Sequence, residues 1–505
     1  MKFHQRLRCW LTSNWILILV IIFTIFARFY KLGWDESNDD ASFWFGWSKK
    51  LIDNWKNGVF STMPDYQYPG VTLMASTGLF LNIAGFVVQA LRGYKFPIYD
   101  ANYFPIYNFF AKVPIEIAYL AFSGYFFIGL KKVFNRRIAL LALFLLVAEP
   151  FNLGITRFVH AEGYLSAFVG TLFISYLLFL KTKRCRYLFL FSLFSALALV
   201  TKYISAYPLF VIYMHLLAIS IRNKKILLFI YSLVGIGAFT LAFFPALVLN
   251  PINTFLKMKE EVVMTALVGR NNFAPWYFYI ASMFLRFSII FSFCYVWGIR
   301  LGVRKIKQGS SLFTLLTLPT VTIISFVIFL SFFNQKIDRY LITIFPIMAT
   351  LIAYILNDFL ESIKRTPIKR SVILMGGFYY LFLFISISPT YSAYYNKLYG
   401  GFVFARKYLG AEMVGEGLYK VAEDLNTKNN PEDLSVLVRP TFTSFKPFFK
   451  GKTFGPSDYI PDSISLDYIV VKNSDRIPDK YINLCSFNKT YYLYFSPVYD
   501  LYQCQ

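Results

Sequence analysis

The sequence predicts a mainly α, polytopic membrane protein with about eleven transmembrane helices and a small external α/β domain. Composition is the first reason. Of 505 residues, 57% are hydrophobic, 20% aromatic and 15% charged, whereas soluble domains carry roughly 45–50% apolar and 25% charged residues. One or two soluble cores cannot bury that excess, so a soluble cytosolic enzyme is excluded. The second reason is charge placement. The net charge of +24 gathers in six short acid-free clusters between apolar runs: Lys2/Arg6/Arg8, Lys131/Lys132/Arg136/Arg137, Lys181/Lys183/Arg184/Arg186, Arg222/Lys224/Lys225, Arg300/Arg304/Lys305/Lys307 and Lys364/Arg365/Lys369/Arg370. This is the positive-inside pattern of cytoplasmic loops rather than a nucleic-acid surface. The third reason is a change of composition after Ser388, where thirteen basic and twelve acidic residues make the remaining chain nearly neutral.

The elements follow in order. Trp15–Ala27 comes after a basic terminus, lacks a small-residue cleavage site and reads as an anchor. Further spans fall near 108–130, 137–153, 162–180, 187–202, 204–221, 226–248, 277–299, 311–333, 340–357 and 371–388. With the N-terminus cytoplasmic, every basic cluster lands inside and the C-terminal part lies outside, as in an integral plasma (inner) membrane protein. Residues 71–91 are apolar enough to cross, but a crossing would move every later cluster outside. They are therefore predicted to lie on, or dip into, the outer leaflet. Residues 31–107 become a long external loop, which also holds the amphipathic stretch Ala41–Trp55. The transmembrane module spans 1–389. Residues 390–505 form the external domain, with a helical stretch Phe402–Asn426 and strands at Ser435–Val438, Tyr468–Lys472 and Tyr491–Phe495.

Five cysteines without a CxxC, and only His4, His160 and His215 among histidines, argue against a Cys- or His-rich metal centre. Cys485 and Cys504 are both external, where a disulfide is permitted. Cys9 and Cys185 are expected in the cytosol, reduced.

Acids are scarce, so their placement is informative. Asp35, Glu36, Asp39 and Asp40 follow the first span at the predicted external surface. Clustered carboxylates repel, and such a group suits a general base or a cation site. Arg157 and Glu162 stand at the external mouth of two helices. Lys202, Arg270, Lys336 and Arg339 break the inside bias and suit an anionic lipid phosphate. Glu116 and Arg286 fall inside apolar runs and read as a structural ion pair between helices.

The order of these motifs resembles the GT-C glycosyltransferases that use polyprenyl-phosphate sugars, especially the protein O-mannosyltransferases and lipid A aminoarabinose transferases. Asp39-Asp40-Ala41-Ser42-Phe43 is similar to that family's DE…F motif, with Asp for Glu at the second position, and Asp35-Glu36 is a literal DE. Tyr68-Pro69-Gly70-Val71-Thr72 resembles HPGVT, with Tyr for His. Arg157–Glu162 resembles R-x4-D, with Glu for Asp. Ala196–Lys202 is similar to GLAxxTK, and Lys336–Tyr340 to K-x-DRY. Asn396–Gly401 and Gly415–Leu418 resemble NPLxGG and GEGL.

The resemblance implies inverting transfer of a sugar, mannose-like first, from a polyprenyl-phosphate donor to a protein, glycan or lipid acceptor at the external membrane face. It implies an acidic general base, Asp39 with Asp35 as the alternative, while Glu36 and Asp40 stay in the acidic set and Glu162 orients the acceptor or a basic partner. Arg339, Lys336, Lys202 and Arg157 would face the leaving phosphate, with Arg270, Tyr340, Tyr68 and Pro69 as further substrate contacts. It makes no metal obligatory, although the four acids could hold Mg²⁺ or Mn²⁺. Membrane lipids are expected partners and nucleic acid is not. A transporter or flippase, which would place ionisable residues near the midplane, and an inactive scaffold of the same fold remain the competing classes.

Overall fold

The computed structural model describes residues 2–504 apart from 64–68, 95–96, 264–273, 308–312, 335, 412–414, 461–464 and 474. Its helices run in the order α1 (Lys2–Phe29), α2 (Ala41–Lys56), α3 (Val71–Arg92), α4 (Phe104–Val133), α5 (Arg136–Ala148), α6 (Pro150–Thr156), α7 (Ala161–Thr182), α8 (Cys185–Thr201), α9 (Ala206–Arg222), α10 (Ile226–Phe243), α11 (Ala246–Leu249), α12 (Pro251–Val263), α13 (Phe278–Leu285), α14 (Ile289–Lys307), α15 (Phe313–Ser331), α16 (Phe345–Ser362) and α17 (Thr366–Ile387).

Among the described residues, seven helices are long and apolar enough to cross a bilayer, or nine if two bent pairs count as one span each. Shorter apolar helices lie at Asn14–Phe29, Cys185–Thr201 and Leu316–Ser331. Each of the eleven expected runs therefore falls on a helix or a bent pair, though not each as an unbroken span. Small residues bring the central helices together: a Cβ on Gly170 of α7 would stand 2.3 Å from the Phe122 ring of α4, so only glycine allows that approach.

Helix α3 is one of the seven helices long and apolar enough to cross, and its polar contacts to α7 and α8 cluster at one end of the bundle. Thr72 and Thr201 share a hydrogen bond of 2.7 Å, and Tyr164 donates to Ser76 over 2.8 Å. Those partners sit at the C-terminal end of α8 and the N-terminal end of α7, beside the acidic loop.

Two expected spans are broken, and the breaks meet. The run 137–153 bends by 61° between α5 and α6, and the run 277–299 bends by 118° between α13 and α14. Pro150 takes the first position of α6, where its missing N–H costs nothing. Glu149, between α5 and α6, accepts from the Ser288 backbone N–H at 2.8 Å and from Tyr380 of α17 at 3.0 Å. Asn396 Nδ2 donates to the Phe287 carbonyl at 3.1 Å. Non-helical backbone inside an apolar helix bundle requires buried partners of this kind.

Glu116 and Arg286 do not pair with each other. Glu116 binds Arg28 Nε at 3.1 Å, with the Arg28 guanidinium 3.7 Å above the Tyr119 ring. Arg286 sits at the second break. It binds Asp338 at 2.9 Å, donates to the Tyr394 carbonyl, and lies between the rings of Phe151 and Tyr395. Both are structural ion pairs, but each takes a partner the hydropathy pattern did not single out.

After α17, the expected helix 402–426 is two helices, α18 (Gly401–Leu409) and α19 (Leu418–Leu425), with left-handed glycines at 410, 415 and 417 between them. Five strands follow: β1 (Ser435–Val438), β2 (Lys452–Phe454), β3 (Tyr468–Lys472), β4 (Cys485–Leu493) and β5 (Ser496–Cys504). Their order is β2-β1-β3-β5-β4, with β1 parallel to β2 and β3, and β5 antiparallel to β3 and β4. The expected strand 491–495 is the end of β4 plus the turn, where Tyr494 and Phe495 both adopt positive φ and reverse the hairpin. A disulfide joins Cys485 to Cys504 across that hairpin.

Candidate active site

Four separate stretches of chain bring charged side chains to one end of the bundle. Asp40 precedes α2 and makes no side-chain cap bond there. Its carboxylate instead binds Arg339 at 2.9 Å and His160 Nε2 at 3.2 Å. Glu162 lies in the first turn of α7, where the helix dipole favours a carboxylate. It binds Lys202 at 2.6 Å, lies 3.8 Å from Arg339 Nε, and contacts His160 Nδ1. Lys202 is the C-terminal cap of α8, the dipole end that favours a cation. Its ammonium stands 4.8 Å over the Tyr340 ring. Arg339 and Tyr340 belong to the 3-10 segment Asp338–Ile344 that leads into α16. The result is a closed ring of two carboxylates, one imidazole and one guanidinium, with the Lys202 ammonium held on its Glu162 side.

Burial raises the Asp40 pKa, but the His160 hydrogen bond and the Arg339 charge outweigh it and hold this carboxyl well below the usual carboxylate range. Burial, followed by the Arg339 charge, pushes the His160 imidazolium down to about 3. A neutral ring has a single N–H, which it donates to Asp40. Nδ1 lies against Glu162 Oε2, and neither atom has a hydrogen-bond partner among the described residues.

The acids of the first loop diverge. Asp35 places one oxygen on Lys112 Nζ at 2.7 Å and the other on Arg157 at 2.8 Å. Arg157 also donates to the carbonyls of Ala27 and Tyr30. The expected external neighbours Arg157 and Glu162 thus face different partners, and Arg157 ties α6 to the loop rather than facing the ring. Glu36 accepts from Ser392 at 2.6 Å. Burial first, then the nearby Glu416 carboxyl, pushes Glu36 up to about 8. Asp39 accepts a hydrogen bond from the Thr443 hydroxyl, which the chain beyond β1 delivers. With one carboxylate on Lys112 and Arg157, one on Ser392, one on Thr443 and one on Arg339, the four acids do not fit a Mg²⁺ or Mn²⁺ site. Among the described residues, no group of three His, Cys, Asp or Glu side chains is arranged to hold a metal ion.

The remaining expected residues are spread. Pro69 is buried beside Gly70, whose N–H donates to the Thr201 carbonyl, one residue from Lys202. Lys336 donates to the Phe333 carbonyl at 2.8 Å, and burial lowers its pKa. Tyr68 and Arg270 lie outside the described residues. Three site side chains escaped the sequence reading. Lys112 carried a signal of the kind that marked Glu116, a charge within an apolar run. Thr443 carried none, because its partner Asp39 is distant in sequence; His160 stands two residues from Glu162, but its other partner, Asp40, is distant.

No protein-family model matches the sequence, and no curated protein does. Solved structures do match. ArnT from Cupriavidus metallidurans bound to undecaprenyl phosphate is similar over 97% of this chain and 98% of its own, at 12% identity and a TM-score of 0.52. The same protein in the apo state is similar over the same shares, at 13% identity and a TM-score of 0.50. With helices, bent pairs and terminal sheet all inside that likeness, the chain has the GT-C membrane fold.

Proposed function

We propose that this protein is a membrane glycosyltransferase that moves a sugar, mannose-like first, from a polyprenyl-phosphate donor to a hydroxyl acceptor at the external membrane face. The single observation behind this reading is the convergence of Asp40, Glu162, Lys202 and Arg339 from four stretches of chain at one end of the bundle. Two cations preorganised on carboxylates can receive the charge that develops on a leaving lipid phosphate. Asp39 lies beside them in sequence and already accepts a hydroxyl hydrogen bond, the geometry a general base needs toward an acceptor. Asp35 is the weaker choice, since both its oxygens are bound to buried cations. The transition state would resemble an oxocarbenium ion, with inversion at the anomeric carbon. The likeness to a protein crystallised with undecaprenyl phosphate supports a lipid-phosphate donor.

The test is turnover by purified protein in nanodiscs, offered polyprenyl-phosphate mannose, glucose and aminoarabinose beside nucleotide sugars. Lipid-dependent release of sugar is expected, and Asp39→Asn should lower kcat by about 10²–10⁴. Arg339→Gln and Lys202→Gln should each cost about 10²–10³. Turnover of nucleotide sugars alone, or of no donor, would overturn the reading.

A further inference from the structure

We infer that His160 is a positioning residue that holds the two carboxylates of the cluster in register with their cations. The inference rests on the glycosyltransferase reading and extends it to an unspecified position inside the Arg157–Glu162 motif. His160 precedes α7 and caps no backbone group with its side chain. Its ring is almost fully buried, edge-on to Trp44 of α2 at 5.7 Å between centroids. Nε2 meets Asp40, from the start of α2, and Nδ1 meets Glu162, from the first turn of α7.

Those two acids hold the cations: Arg339 lies on Asp40, and Lys202 lies on Glu162. Besides the imidazole, Arg339 approaches Glu162 at 3.8 Å, farther than its 2.9 Å contact with Asp40. A buried carboxylate that loses a donor becomes harder to ionise. Asp40 would then hold its proton to higher pH and release Arg339. The charged and titratable groups around the ring are Asp40 before α2, Glu162 on α7, Lys202 after α8 and Arg339 before α16. The imidazole acts through Asp40 and Glu162, so its effect on chemistry is indirect.

The experiment is steady-state transfer from the lipid donor over pH 4–9, with His160→Ala, His160→Leu and His160→Gln in nanodiscs. His160→Ala and His160→Leu should lower kcat by about 10–100-fold with a smaller change in donor KM. Asp40, held well below the usual carboxylate range in the wild type, should give no acid limb in this window, whereas loss of its donor should raise that limb toward the window in both variants. His160→Gln restores an N–H donor and should recover much of kcat with the acid limb near its original place. Thermal melts of each variant separate this from misfolding, which would lower active fraction without moving the limb. Wild-type turnover with unshifted profiles in all three variants would overturn the His160 inference alone. Equal loss in His160→Gln and His160→Leu would also overturn it. Absence of lipid-donor turnover in the wild type would overturn both this inference and the function on which it rests.

Discussion

Glu36 shows at the residue scale what the fold does to one carboxyl. It is buried, bonded to Ser392 across the junction with the C-terminal part, and pushed up to about 8 by burial and then by Glu416. The folded protein therefore keeps a proton that the unfolded chain releases near the ordinary carboxylate value of about 4.3. Stability present at low pH is lost as pH rises from that value toward about 8, because the unfolded state binds fewer protons there. Glu36→Gln should abolish that loss. Thermal melts in detergent between pH 5 and 9 should show the wild type falling with pH while the variant stays flatter; identical slopes would refute it. Much of this scale was legible in sequence. Scarce acids in an apolar chain pointed to 35–40 and 162, and bias-breaking cations pointed to Lys202 and Arg339. What stayed hidden was the sorting, since Asp35 and Asp40 differ only in which distant cation reaches them.

At the element scale the two helix breaks were illegible because hydropathy sees only composition along a run. Their cause is partners from elsewhere: Glu149 for Ser288, Asp338 for Arg286, Asn396 for Phe287. Arg286 is buried and Asp338 partly exposed, so removing one member strands the other charge at a cost below the roughly 3–5 kcal/mol of a fully buried pair. Arg286→Leu should therefore lower thermal stability, and Arg286→Leu with Asp338→Leu should recover much of it; a double variant no better than the single would contradict the pairing. Gly154 tests the same junction by volume. A Cβ there would stand 2.1 Å from the Ser392 backbone nitrogen, so Gly154→Ala must displace the segment that bonds Glu36. Overpacking of this kind costs about 1–3 kcal/mol, read as a lowered melting temperature with the pH slope of Glu36 diminished.

At the scale of the whole molecule the basic clusters predict which bundle end is cytoplasmic, and one native thiol can check it. Cys185 is exposed at the start of α8 and Cys294 is buried. In a Cys9→Ser background, an impermeant maleimide should reach Cys185 only after the cytoplasmic face is opened; labelling in sealed right-side-out cells would invert the topology. The proposed topology would put the carboxylate–cation ring at the external surface, where a lipid-linked donor would present its phosphate. The most direct test of that central claim is single-turnover release of polyprenyl phosphate from its sugar conjugate by nanodisc-embedded protein, followed beside Asp39→Asn at equal donor occupancy. The proposed mechanism predicts release by the wild type and loss of about 10²–10⁴ in rate for the variant with donor binding retained. Release at the wild-type rate by Asp39→Asn, or no release by either protein with donor bound, would contradict it.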